Sequence, residues 1–158
     1  MYKWPRLIFC AKDRWWSVSS EAIGDLIATW SWRLYRKIHS EVRALGAQIV
    51  VLTPELERYT RALHKKLNLT FDILTDLHLN TAEQFGLVFT LPDYLRKLYK
   101  SFGSNLDRFH DESEFRLPLP ARYVIDKQGI IRAADVNADY TIRPEPSETV
   151  EILRTLTK

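Results

Sequence analysis

The stretch Arg14 to Glu21, RWWSVSSE, has the outline of a redox turn. Trp16 is followed by two residues three apart, Ser17 and Ser20, just before a long helical pattern. Thiols at those two places would sit where a helix N-terminus lowers a pKa, and the pair could cycle between dithiol and disulfide. Hydroxyls cannot do this, because serine has no accessible anion near neutral pH and no reversible oxidation ladder. By residue type Ser20 is a helix cap, with Glu21 favourably placed in the first turn. The chain has one cysteine, Cys10, so no internal disulfide forms. Cys10 closes an apolar run, where a free cysteine ordinarily acts as a small buried hydrophobe. If it is exposed beside Lys12 or Arg14, its pKa falls.

Other chemistries lack their residues. The four histidines show no metal-ligand spacing, and the five glycines form no phosphate loop. No metal or cofactor is expected. His110, Asp111 and Glu112 read as a solvated cluster in a polar loop. Trp15, Trp16, Trp30 and Trp32 crowd the N-terminal third, and half-buried packing accounts for them. The chain has 158 residues, 46% hydrophobic and 27% charged, with a net charge of +3. That suits one globular domain. Lysine and arginine are scattered along the chain, so nucleic-acid binding is not indicated. No apolar run approaches the ~20 residues of a membrane span, and no signal peptide is evident. A cytoplasmic protein is the expectation.

The elements that must position these residues follow from periodicity. Arg6 to Cys10 reads as a strand. Ile23, Ile27, Trp30, Leu34, Ile38, Val42 and Leu45 make one face of a long helix ending at Gly46. Ala47 to Thr53 is a continuous apolar strand, with Thr53 and Pro54 read as the cap and first residue of the next helix. That helix turns Leu56, Thr60, Leu63 and Leu67 inward. FDILTD reads as a strand, TAEQFG as a short helix capped by Thr81 and stopped by Gly86, and PDYLRKLYKSF as another helix. Ser104 to Phe115 reads as a polar loop. Arg122 to Val136 is a hairpin around Asp126-Lys127-Gln128-Gly129. A last helix, capped by Ser147, turns Val150, Leu153 and Leu156 inward. The alternation predicts an α/β fold: a mostly parallel central sheet, helices on both faces and an antiparallel edge from the hairpin.

This order resembles the thioredoxin fold, and three stretches narrow it. EVRALGAQIVVLTPELERYTRAL, LTFDILTDLHLNTAEQFGLVFTLPDYLRKLY and LPLPARYVIDKQGIIRAADVNADYTIRPEPSETVEIL resemble peroxiredoxin-like proteins of the alkyl hydroperoxide reductase/thiol-specific antioxidant family. The resemblance runs from residue 34 to 158; residues 1–33 form a divergent N-terminal segment of the same domain. It implies an antioxidant thiol oxidoreductase, with a hydroperoxide as substrate, a thioredoxin-type reductant, and a homodimer as in many relatives. It also implies that Pro120, before a core strand, faces the redox site and that the Leu119–Pro120 bond is cis, a form costing only ~0.5–1 kcal/mol before proline.

The resemblance further implies W-C-P-x-C at the start of the first long helix. There the first thiolate attacks the O–O bond and a second thiol reduces the resulting sulfenic acid. Alignment without gaps from EVRALGAQ puts Asp25 and Ala28 at the cysteine positions. Alignment on the local word puts Ser17 and Ser20 there. Neither supplies a thiol, so Cys10 is the one candidate nucleophile and weak or absent activity is expected. The alternatives are a non-catalytic binding or structural module, or the product of a truncated or frame-shifted gene.

Overall fold

The computed structural model describes residues 6–11, 24–101, 115–139 and 144–156. Its elements run β1 (Arg6–Ala11), α1 (Gly24–Ala44), β2 (Ala47–Thr53), α2 (Glu57–Leu67), β3 (Asp72–Thr75), α3 (Asn80–Gln84), β4 (Val88–Thr90), α4 (Asp93–Ser101), β5 (Arg116–Pro118), β6 (Ala121–Ile125), β7 (Ile131–Val136) and α5 (Pro146–Leu156).

Five strands form one sheet in the order β3-β2-β1-β6-β7. β1 pairs parallel with β2, and β2 with β3; β6 runs antiparallel to β1, and β7 to β6. Parallel and antiparallel pairings are thus equal in number, because β6 enters beside β1 from the opposite end. The connections β1 to β2 and β2 to β3 step the same way along the sheet. Right-handed crossovers therefore place α1 and α2 on one face. Their buried side chains meet there: Tyr35 and Val42 of α1, Leu63 and Leu67 of α2, Ile49 and Val51 of β2, joined by Val150 and Leu153 of α5. Burying each aliphatic side chain contributes about 1.5–3 kcal/mol. The period of two sends the intervening residues to the other face, where Ala121 and Tyr123 pack on Leu79, Ala82 and Leu87.

The helix ends differ from the sequence expectations for local reasons. Thr53 does not cap α2. It stays in the sheet opposite Thr75, its carbonyl accepts from Asp76 N–H at 2.8 Å, and α2 starts at Glu57. Thr81 does not cap α3. Both carboxylate oxygens of Asp76 take the Thr81 and Ala82 N–H groups at 2.8 Å. Ser147 lies inside α5, which opens on Pro146, where a missing N–H costs nothing. Gly46 (φ 72°) ends α1 and Gly129 (φ 81°) completes the hairpin turn, as expected. The inward stripe of α1 is centred on Tyr35, His39 and Val42, with Ile38 and Leu45 beside it. The pairing of β4 with β5 was not foreseen; both strands are three residues long. The Ser20 cap, the side chains of Trp15, Trp16, Trp30 and Trp32, and the His110-Asp111-Glu112 cluster lie outside the described residues.

Candidate redox site

The strand order reverses at β1, which has β2 on one side and β6 on the other. In open α/β sheets the crevice at the carboxyl ends of the strands, at such a reversal, is where ligands bind. Here that end comprises Ala11 of β1, Leu52 and Thr53 of β2, Thr75 of β3 and the start of β6 at Ala121. α1 begins on the same side, since it follows β1.

The gap-free candidates fall at this helix start: Asp25 is the second residue of α1 and Ala28 the fifth. A carboxylate there suits the positive end of the helix dipole but carries no redox chemistry. Ser17 and Ser20 lie outside the described residues. Cys10 stands in β1, paired in register with Val51 on one side and Arg122 on the other. Both partners are buried, at 1% and 2% exposure.

Pro120 sits just before β6 and is buried. No cis peptide bond occurs among the described residues, so the Leu119–Pro120 bond is trans, contrary to expectation. Between β5 and β6, Leu119 N–H donates to the Leu87 carbonyl at 2.7 Å. Trans is the lower-energy isomer before proline. Pro120 is two residues beyond the register partner of Cys10, about 7 Å along the strand. The structure therefore does not bring Cys10 and Pro120 side by side.

Two ionisable groups near β1 escaped the sequence reading. Glu55 is only 2% exposed, lies two residues after the end of β2, and its carbonyl accepts from Thr75 Oγ1 at 3.0 Å. Arg122 is buried mid-strand and spends its five N–H donors inside the fold. Nε and Nη2 bind Asp135, Nη2 binds Glu148, and Nη1 binds Thr149 Oγ1 at 2.8 Å and the Glu145 carbonyl at 3.1 Å. An arginine inside the apolar run RYVI was the available signal.

Elsewhere, a shallow depression of about 180 Å³ is lined by Asp126, Lys127, Gln128, Arg132 and Leu156. It lies at the hairpin turn, beyond the Leu7–Ile125 pair and thus at the opposite end of β1. Hydrogen bonding from the Ile130 N–H, with Arg132 and the Gln128 N–H, holds the Asp126 carboxyl below the ordinary aspartate range against the opposing effect of burial. Burial pushes the Tyr123 phenol up. Among the described residues no three His, Cys, Asp or Glu side chains are grouped to hold a metal ion, and no helix is long and apolar enough to cross a membrane.

Strand order, the crossover hand and the terminal hairpin and helix define a thioredoxin-fold domain. Solved structures agree. The bacterioferritin comigratory protein of Xanthomonas campestris superposes with a TM-score of 0.69 at 11% identity, covering 97% of this chain and 80% of that one. Peroxidoxin BcpB of Mycobacterium tuberculosis gives 0.68 at 12%, covering 96% and 80%. AhpC of Enterococcus faecalis gives 0.67 at 13%, covering 96% and 74%. No curated protein matches the sequence. The model of the AhpC/TSA family matches residues 28–134, and the chain belongs to that family. It is a peroxiredoxin-like protein of a group whose members reduce hydroperoxides with thiols, and the family implies a peroxide and a thioredoxin-type reductant as partners. The matched segment begins at Ala28, after Asp25 and both serines.

Proposed function

We propose that this chain keeps the peroxiredoxin scaffold but performs the family reaction, reduction of a hydroperoxide at the expense of a dithiol, only near background. The observation that carries this reading is the placement of its one thiol. Cys10 stands within β1 between Val51 and Arg122, while the helix start that would activate a thiolate carries Asp25. Arg122, the nearest cation in register, has its donors committed to Asp135, Glu148, Thr149 and Glu145. Its charge is offset by the Asp135 and Glu148 carboxylates, which weakens its pull on a thiolate.

The test is hydrogen peroxide and alkyl hydroperoxide consumption with dithiothreitol or a thioredoxin system, for the native chain and Cys10→Ser. Rates at the protein-free level in both support the reading. Turnover in the native chain that disappears in Cys10→Ser overturns it and makes Cys10 the peroxidatic residue. A cytoplasmic location and a homodimer belong to the same reading, and sedimentation at micromolar concentration checks the second.

A further inference from the structure

The β6–β7 turn carries charged donors that the fold leaves unused. Asp126, buried just after β6, has its carboxylate fully engaged. Oδ1 accepts the Gln128 and Ile130 N–H groups, each at 2.9 Å, and Oδ2 accepts Arg132 Nε at 2.6 Å. These bonds keep the carboxyl ionised and pin the guanidinium by one edge. Its other edge, Nη1 and Nη2, meets no acceptor among the described residues. Lys127 and Gln128 are exposed, and their side chains likewise have no partner among the described residues. All three border the depression of about 180 Å³, where Leu156 at the end of α5 forms an apolar wall.

We propose that this depression binds a small monocarboxylate with a short apolar tail. Charge selects the class. Arg132 and Lys127 supply two positive charges and Asp126 removes one, which suits a monoanion better than a phosphate dianion. The carboxyl end of α5, at Leu156, adds partial negative charge and disfavours a dianion further. That dipole would by itself account for cations near the helix end. It does not account for a guanidinium pinned through Nε with its second edge open. The open Nη pair matches the two oxygens of a planar carboxylate, the geometry in which guanidinium forks bind side by side. Lys127 adds a point charge and the Gln128 amide a neutral donor. Leu156 is the one apolar side chain among the described lining residues, so the tail it can cover is short. The depression lies at the far end of β1 from the redox crevice, and the inference does not depend on the redox reading.

The experiment is titration of the ¹⁵N-labelled full chain with sodium butyrate at constant ionic strength and pH 7.5, read as backbone amide shifts by NMR. The amides of Lys127, Gln128 and Arg132 should shift together and saturate, while those of Ile49 and Val51 in the core stay fixed. Exposed charge pairs are individually weak, so a Kd of about 1–10 mM is expected. Arg132→Lys keeps the charge but loses the fork, and Lys127→Gln loses a charge; each should weaken binding at least about threefold. Lys65→Gln, on α2, should bind as the native chain does. Lys127 is exposed and holds no side-chain bond among the described residues, so its variant carries the test if Arg132→Lys disturbs the hairpin. The inference is overturned if the shifts rise without saturating up to about 50 mM butyrate, or if Lys127→Gln binds like the native chain. It is equally overturned if chloride reproduces the shifts, which would mean an adventitious ion only. Methyl phosphate binding more tightly than butyrate, or formate binding as tightly, would overturn it as well, because neither the charge balance nor the Leu156 wall would then be selecting the ligand.

Discussion

Arg122 and Asp135 face each other across β6 and β7, and a single carboxylate oxygen of Asp135 receives both Nε and Nη2 of Arg122, at 2.8 and 2.6 Å. The same guanidinium reaches Thr149 of α5 and the Glu145 carbonyl just before it, so one buried cation ties the hairpin to the last helix. Arg122→Met keeps much of the volume but leaves Thr149 Oγ1 and the Glu145 carbonyl without their donor. The two carboxylates are partly exposed, which lowers the penalty below that of a fully buried pair. A loss of about 2–3 kcal/mol is expected, or roughly 5–10 °C in Tm for a chain of this size. Thermal unfolding followed by circular dichroism checks it; a change under 1 °C would show that the network contributes nothing net.

Asp76, not Thr81, is the group that caps α3. Asp76→Ala removes the acceptor for two N–H groups and should cost about 1–2 kcal/mol, whereas Thr81→Ala should cost only a few tenths. Urea unfolding midpoints of the two variants, compared with the native chain, decide between them. Equal losses would restore the cap to Thr81.

The contrast shows how far the sequence carried. Strands and helices with strong periodicity, such as Ala47–Thr53 and Glu57–Leu67, were legible because hydrophobic spacing is a local property. The caps were not. Asp76 lies five and six residues before the N–H groups it holds, beyond the usual three-residue cap spacing. Thr53 looks like a cap until its pairing with Thr75, a long-range contact, keeps it in the sheet. The family was readable from residues 34–158, but the trans Leu119–Pro120 bond and the burial of Glu55 and Arg122 depend on chain paths that no local pattern encodes.

His39 is buried on the inward face of α1, its ring edge-on to Phe71 at 6.1 Å. Burial pushes its imidazole below the ordinary histidine pKa, the nearby Arg43 charge adds to this, and Asp72 opposes it. Protonation is therefore easier in the unfolded chain. The stabilising contribution is complete above the unfolded value of about 6.5 and is lost as pH falls from there through the folded pKa. The urea midpoint should drop between pH 7.5 and 5.5, and His39→Phe should flatten that dependence. An unchanged pH slope in the variant would assign the acid sensitivity to other groups.

Asp25→Cys tests whether this position of α1 can activate a thiol. Asp25 is the second residue of the described part of α1, and at a helix N-terminus unpaired N–H groups and the dipole stabilise an anion. A cysteine placed there should acquire a depressed pKa, react with peroxide as the thiolate and form a sulfenic acid that dithiothreitol reduces. Asp25→Cys in a Cys10→Ser background is expected to react with hydrogen peroxide at least tenfold faster than free cysteine at pH 7. Ser17→Cys in the same background should stay at the rate of free cysteine. Mass spectrometry of dimedone-trapped sulfenic acid against time gives both rates. The reverse order would favour Ser17 as the position equivalent to the family cysteine, and equal slow rates in both would show that neither position activates a thiol.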